Sequence, residues 1–363
     1  MKALEKIRAA IRRKKADALL VTHPENRRYL SGYTATDLSI TESSGALLIP
    51  TRGTPLLLTD SRYQLQAEQE AAGFKVVRVQ QNILKDLVRI VRRLKVRKLV
   101  FESHYLLYTT AKKLMVLGQK HGIEMIPVSS MIERYRAIKS ADEIQKIHKS
   151  VMLNEQVFQE AYADLRPGQT EKEVALEIEA AMLRRGAEAP AFPTIVAAGP
   201  NAAMPHAIPT DRVIKIGETV IIDMGLKLDG YCSDMTRTVV LGKPDNRTLK
   251  AIRLVRRAQR AALKTIKAGI QTRDADRAAR DIISRAGYGK NFGHGLGHGV
   301  GLAVHEAPSL NRKRSNKLQS GMVVTVEPGI YVPGWGGVRL ENMVVVNDYG
   351  CTILNRDTTF LDI

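Results

Sequence analysis

Gly293-His294-Gly295-Leu296-Gly297-His298-Gly299-Val300-Gly301-Leu302 is the stretch from which the organisation of this chain can be read. Glycine stands at every second position, with histidine or an apolar residue between. Glycine lets backbone approach a neighbour or a bound group closely, which a solvated charged face would not require. The spacing is unlike a dinucleotide-binding fingerprint, and no Walker loop occurs in the chain. Downstream, the sequence passes through His305-Glu306-Ala307-Pro308 to Val326-Glu327-Pro328-Gly329 and then Arg339-Leu340-Glu341-Asn342. Imidazoles and carboxylates interleaved with glycines and apolar strand residues suggest ligands held on a rigid scaffold.

An earlier segment echoes this one. Gly217-Glu218-Thr219-Val220-Ile221-Ile222-Asp223-Met224-Gly225 runs to Asp234, as Gly321-Met322-Val323-Val324-Thr325-Val326-Glu327-Pro328-Gly329 runs to Glu341. In both, an apolar strand ends on a carboxylate, and a glycine-containing reversal leads to a second strand with another carboxylate. Taken singly, Asp223, Asp234 or Glu327 reads as a turn or ladder residue. Together, two such hairpins bring four like charges into one space, and that arrangement calls for cations. With His298 as a fifth ligand, the set is oxygen-rich with one imidazole. It suits a pair of manganese-like ions better than a thiolate zinc site.

The remaining chain sets the bounds. Its 363 residues favour two domains, and 44% hydrophobic with 26% charged residues describe an ordinary water-soluble protein. Cys232 and Cys351 are too few for a disulfide framework, and no apolar run is long enough to span a bilayer. With no signal-like start, a cytoplasmic location is expected. The net charge of +19 includes Arg12-Arg13-Lys14-Lys15 and Arg312-Lys313-Arg314, yet most basic residues are scattered at helical spacing. Aromatics are only 5% and do not interleave with the basic clusters, so nucleic acid is not the expected partner.

Residues 1–130 alternate short apolar runs (Ala18–Thr22, Ala46–Ile49, Pro55–Thr59, Lys75–Val79, Lys98–Glu102, Glu124–Val128) with helical patterns, as in an α/β domain with a largely parallel or mixed sheet. Residues 131–363 differ. Ser140 with Glu143, and Thr170 with Glu173, form capping boxes that open two long helices. A strand at Thr194–Ala198 leads towards His206 and the first hairpin. Two further helices, Thr248–Lys267 and Thr272–Ala286, precede the His298 strand and the second hairpin. Helices then strands, twice over, make an α+β domain of duplicated halves.

From Ser140 onward the chain resembles the pita-bread metallopeptidase family that includes Xaa-Pro aminopeptidase, prolidase and methionine aminopeptidase. Its first 130 residues resemble the N-terminal domain of the Xaa-Pro and creatinase branch. The family's ligand order of Asp, Asp, His, Glu, Glu matches Asp223, Asp234, His298, Glu327 and Glu341. One small departure is Asn342, where the family often has an aspartate. The resemblance implies two divalent ions, manganese foremost, with cobalt, iron or zinc as alternatives. It implies that His206 and His305 bind substrate and assist catalysis, that Glu327 moves a proton as well as binding metal, and that His294 supports the site. Arg339 is left for charge pairing or for a substrate carboxylate. The implied reaction is hydrolysis of the bond before proline in a homodimer. Removal of the N-terminal residue from longer peptides is favoured over splitting of Xaa-Pro dipeptides. Metal-free creatinase and non-catalytic binding relatives are rivals, but both lose ligands that this chain retains.

Overall fold

The computed structural model describes residues 2–80, 83–313 and 315–356; Arg314 of the basic cluster lies outside them. The chain divides into two compact units, Met1–Arg136 and Ala137–Ile363.

The first unit is built on a six-stranded sheet. Ala18–Val21 pairs antiparallel with Ala46–Pro50, which pairs antiparallel with Leu56–Thr59; the remaining neighbours, including Lys98–Glu102 beside Ala18–Val21, are parallel. The sheet is therefore mixed. Its apolar residues serve two cores, because successive strand residues face opposite sides. Leu19, Val21, Leu47 and Ile49 join one, while Leu20, Leu48, Leu99 and Phe101 join the other. Asp37 is locked to the buried Arg27 at 2.7 Å, and Arg27 also donates to the Gly45 carbonyl.

The second unit carries the duplication. Both capping boxes form, so Ser140 and Thr170 start the helices Ala141–Asp164 and Glu171–Arg184. These lie with the strands Ile195–Ala198, Thr219–Met224 and Met235–Val240, paired antiparallel with Thr219–Met224 in the middle. The second half repeats the plan with helices Asn246–Thr265 and Thr272–Arg285. Its sheet has Val323–Val326 between Gly297–Gly299 and Asn342–Val346. Each half has its own apolar core, one around Phe158, Ile178 and Ile222, the other around Val255, Ile283 and Val324.

The expected hairpins are more elaborate than a strand and its return. In each half the two long strands pair with each other, and a short separate ribbon is inserted between their carboxylates. The first ribbon pairs Leu226–Leu228 with Tyr231–Cys232 and the second pairs Gly329–Val332 with Gly336–Arg339. Pro328 and the glycines interrupt the ladder there, since proline has no N–H to donate. A seam of hydrogen bonds then joins the halves. Glu341 N–H donates to the Thr236 carbonyl at 3.1 Å, and the Thr238 hydroxyl donates to the Arg339 carbonyl at 2.8 Å.

Candidate metal centre

The alternating glycines explain how His298 reaches the centre. A Cβ on Gly297 would run into the Thr325 carbonyl, and one on Gly299 into the Ala307 carbonyl. The strand Gly297–Gly299 is thus pressed between two neighbours at a distance that only glycine allows. Buried Arg280 braces the approach to it. Its guanidinium is paired with Asp276 at 2.8 Å and donates to the carbonyls of Phe292 and His294.

His298 Nδ1 lies 3.1 Å from the Gly299 carbonyl, which can only accept, so this nitrogen carries the proton. Nε2 is left bare and faces Asp234 at 3.6 Å and Glu327 at 3.5 Å. A histidine needs that tautomer to bind a metal through Nε2. Ligand atoms of Asp234, His298 and Glu341 all lie within 4.8 Å of one another. Glu341 is buried and accepts from the Thr236 hydroxyl at 2.7 Å, while Glu327 accepts from the Thr325 hydroxyl at 3.2 Å. Asp223 stands on the neighbouring strand, with Oδ2 bound to Arg339 at 2.6 Å. Its other oxygen, Oδ1, is buried and accepts no hydrogen bond. An orphaned buried carboxylate oxygen among like charges fits a cation as its missing partner.

The electrostatics point the same way. Burial, and then the charge of Glu341, push the Asp234 carboxyl well above its ordinary range; the same two causes raise Glu327. Burial and then Asp223 lift Glu341 to about 8. Burial, and then His305, lower His298 to about 4, which keeps it neutral at physiological pH. Without a cation these carboxylates must share protons to coexist; divalent ions would replace those protons.

Of the other expected residues, His305 is exposed and sets its ring edgewise on His298, with ring centroids 4.1 Å apart. His206 is exposed on the loop after the turn Gly199–Ala203, and the Pro205 carbonyl just before it accepts from Arg339. Arg339 takes charge pairing, the first of the two roles open to it. It is only 3% exposed and donates to Asp223, the Tyr331 hydroxyl, the Pro205 carbonyl and the Thr236 hydroxyl. That guanidinium is occupied by these four acceptors within the protein. Burial opposes its charge, but Tyr331 and Asp223 hold it protonated. His294 meets the Tyr331 hydroxyl at 2.8 Å and lies 3.9 Å from Glu327.

Sequence reasoning missed Tyr331, which links Arg339 to His294, and Thr236, which holds both Glu341 and Arg339. Thr236 lies two residues beyond Asp234, so strand alternation could have found it. Tyr331 sits in the short ribbon and gives no comparable signal.

Residues 145–348 match the model of metallopeptidase family M24, and residues 4–138 match the creatinase/prolidase N-terminal domain. An uncharacterized peptidase of Bacillus subtilis is 35% identical over 348 residues, covering 96% of each chain. Among solved structures, a Xaa-Pro dipeptidase from Bacillus anthracis is 36% identical with a TM-score of 0.91, over 98% of both chains. A prolidase from Pyrococcus horikoshii is 34% identical with a TM-score of 0.88, again over 98% of both. An X-Pro aminopeptidase from Thermotoga maritima is 36% identical with a TM-score of 0.85, over 94% of this chain and 96% of that one.

Proposed function

We propose that this chain, which belongs to metallopeptidase family M24, hydrolyses the peptide bond before proline with two divalent ions held by Asp223, Asp234, His298, Glu327 and Glu341. The observation that carries the reading is the convergence of Asp234, His298 and Glu341 within 4.8 Å beside Glu327. The donor set of carboxylates and one imidazole favours manganese. When bound, such ions lower the pKa of a water and polarise the scissile carbonyl. Glu327 Oε1, steadied by the Thr325 hydroxyl, takes the proton of the attacking water and passes it to the leaving proline nitrogen. His305, packed on His298, and His206, on the loop that Arg339 fastens at Pro205, donate hydrogen bonds to the carbonyl oxygen as it gains charge. We also take the working form to be a cytoplasmic homodimer, and residues 1–130 and 131–363 to be its creatinase-like and catalytic domains. No helix among the described residues is long and apolar enough to cross a membrane.

For substrate length we take Xaa-Pro dipeptides as preferred, because two of the three solved relatives above are named as a dipeptidase and a prolidase. This reverses the preference drawn from sequence. Trimming of longer Xaa-Pro peptides is the second reading, and the bonding of Arg339 favours it. The cation open to a dipeptide's carboxylate on the sequence alone is bound to Asp223 and Tyr331. The test compares kcat/KM for Xaa-Pro, Xaa-Pro-Xaa-Xaa and Xaa-Ala peptides with added manganese, with products identified by mass spectrometry. A dipeptide preference above about 100-fold, roughly 2.7 kcal/mol of transition-state binding, supports the dipeptidase. Equal rates support the aminopeptidase, and cleavage of Xaa-Ala at the Xaa-Pro rate refutes proline specificity.

A further inference from the structure

The metal centre does not use Glu171, yet this carboxylate is fully buried in the first turn of the helix Glu171–Arg184. A buried charge persists where it is well satisfied. Oε1 accepts from the Ala198 N–H at 2.7 Å and from the Asn201 amide at 3.1 Å. Oε2 accepts from the same amide at 3.0 Å, from the Thr210 N–H at 3.1 Å and from the Thr210 hydroxyl at 2.7 Å. One side chain thereby ties Ala198 and Asn201 to Thr210 and closes the segment between them into a loop. His206 lies on that loop. The loop is fastened again where Arg339 donates to the Pro205 carbonyl, and where Gly337 packs so tightly that a Cβ would strike the Ala202 carbonyl. Because the His206 ring is exposed, its direction depends on how this backbone is held.

We propose that Glu171 is a positioning residue, which fixes the 198–210 loop so that His206 meets the scissile carbonyl. The inference rests on the reading of His206 as a substrate-binding group. Every partner of Glu171 is a donor, so Glu171→Gln places an N–H₂ against donors while keeping size and shape. Misplacing a group by about 1 Å can cost 100-fold, so kcat for Xaa-Pro cleavage should fall about 10- to 100-fold. Metal content should match wild type, and hydrogen exchange of residues 199–210 should quicken. Thr210→Val, which removes one donor, should shift rate and exchange the same way by less, and serves if Glu171→Gln does not fold.

The decisive comparison is a double-mutant cycle with His206→Ala. Once His206 is absent, Glu171→Gln should cost less than about twofold more, because the two residues act as one unit. If the full loss persists in the His206→Ala background, Glu171 acts elsewhere and the positioning role is overturned. If Glu171→Gln keeps wild-type rate and exchange, it is overturned directly. If His206→Ala alone is fully active, the reading of His206 fails, and the positioning role fails with it.

Discussion

Replacing Arg339 with methionine tests how the site balances its charge. The guanidinium meets Asp223 at 2.6 Å, and both groups are largely enclosed. Removing one partner of a buried pair costs about 3–5 kcal/mol, because the other charge is left stranded. In a domain of this size each kcal/mol moves the melting temperature by about 2–4 °C, so Arg339→Met should melt roughly 6–20 °C lower when metal-free. Bound metal supplies Asp223 with a substitute countercharge, and the deficit should shrink when the variant is loaded with manganese. Arg339→Lys keeps the charge but loses the fork that reaches Tyr331 and Pro205 together, and should fall between. Differential scanning calorimetry of metal-free and loaded protein reads both effects. Kinetics supply a second arm: dipeptides and longer peptides should lose kcat/KM alike. A metal-free melting temperature within about 2 °C of wild type would refute the charge argument, given that scale. A rise in KM confined to dipeptides would show that Arg339 reads the substrate carboxylate after all.

Three further outcomes are expected. Glu341→Ala should abolish turnover and lower the bound metal per chain; full turnover at saturating manganese would remove Glu341 from the ligand set. His206→Ala and His305→Ala should retain metal and lose about 100- to 1000-fold in rate, whereas a metal-free variant would make that histidine a ligand. Finally, the metal-free protein should lose stability as pH rises from about 6.5 to 8. In that window the unfolded chain has already released the Glu341 proton, while the folded chain, with that group near 8, still holds it. His298 opposes this only below 6.5, where the unfolded imidazole takes a proton that the folded one, near 4, refuses. A melting temperature that rose across the window, followed by calorimetry, would sink this account.

Much of this architecture is legible in the residues because local chemistry and global fold agree. Ser140 with Glu143 and Thr170 with Glu173 fix helix starts through short-range bonds, which need no tertiary information. The echo of Asp223 and Asp234 in Glu327 and Glu341 exposes the duplication, since strand, carboxylate and reversal follow one another closely in sequence. The inserted ribbons were not legible. Whether Met235–Val240 pairs with Thr219–Met224 or with the ribbon depends on packing rather than on pattern. Nor could sequence decide what Arg339 touches, because its partners Asp223 and Pro205 come from the other half. Glu171 reads as an ordinary acidic residue in a helix's first turn, and only the folded loop reveals its donors.

The seam between the halves also bears on when a metal can be chosen. Asp223 and Asp234 come from one half, His298, Glu327 and Glu341 from the other, and Glu341 N–H is bonded across to Thr236. A chain emerging from the ribosome has both aspartates long before Glu341 follows, and pairing so distant in sequence is slow to close. A chain made as far as Glu327 carries four of the five proposed donors but not the strand that bonds Glu341 across to Thr236, which gives a passing ion less to grip. On the proposed ligand set, selection among manganese, iron, cobalt and zinc therefore falls to the finished fold. It is settled by the rigidity of that fold and by the ions present where synthesis ends, not by the order in which the donors are made.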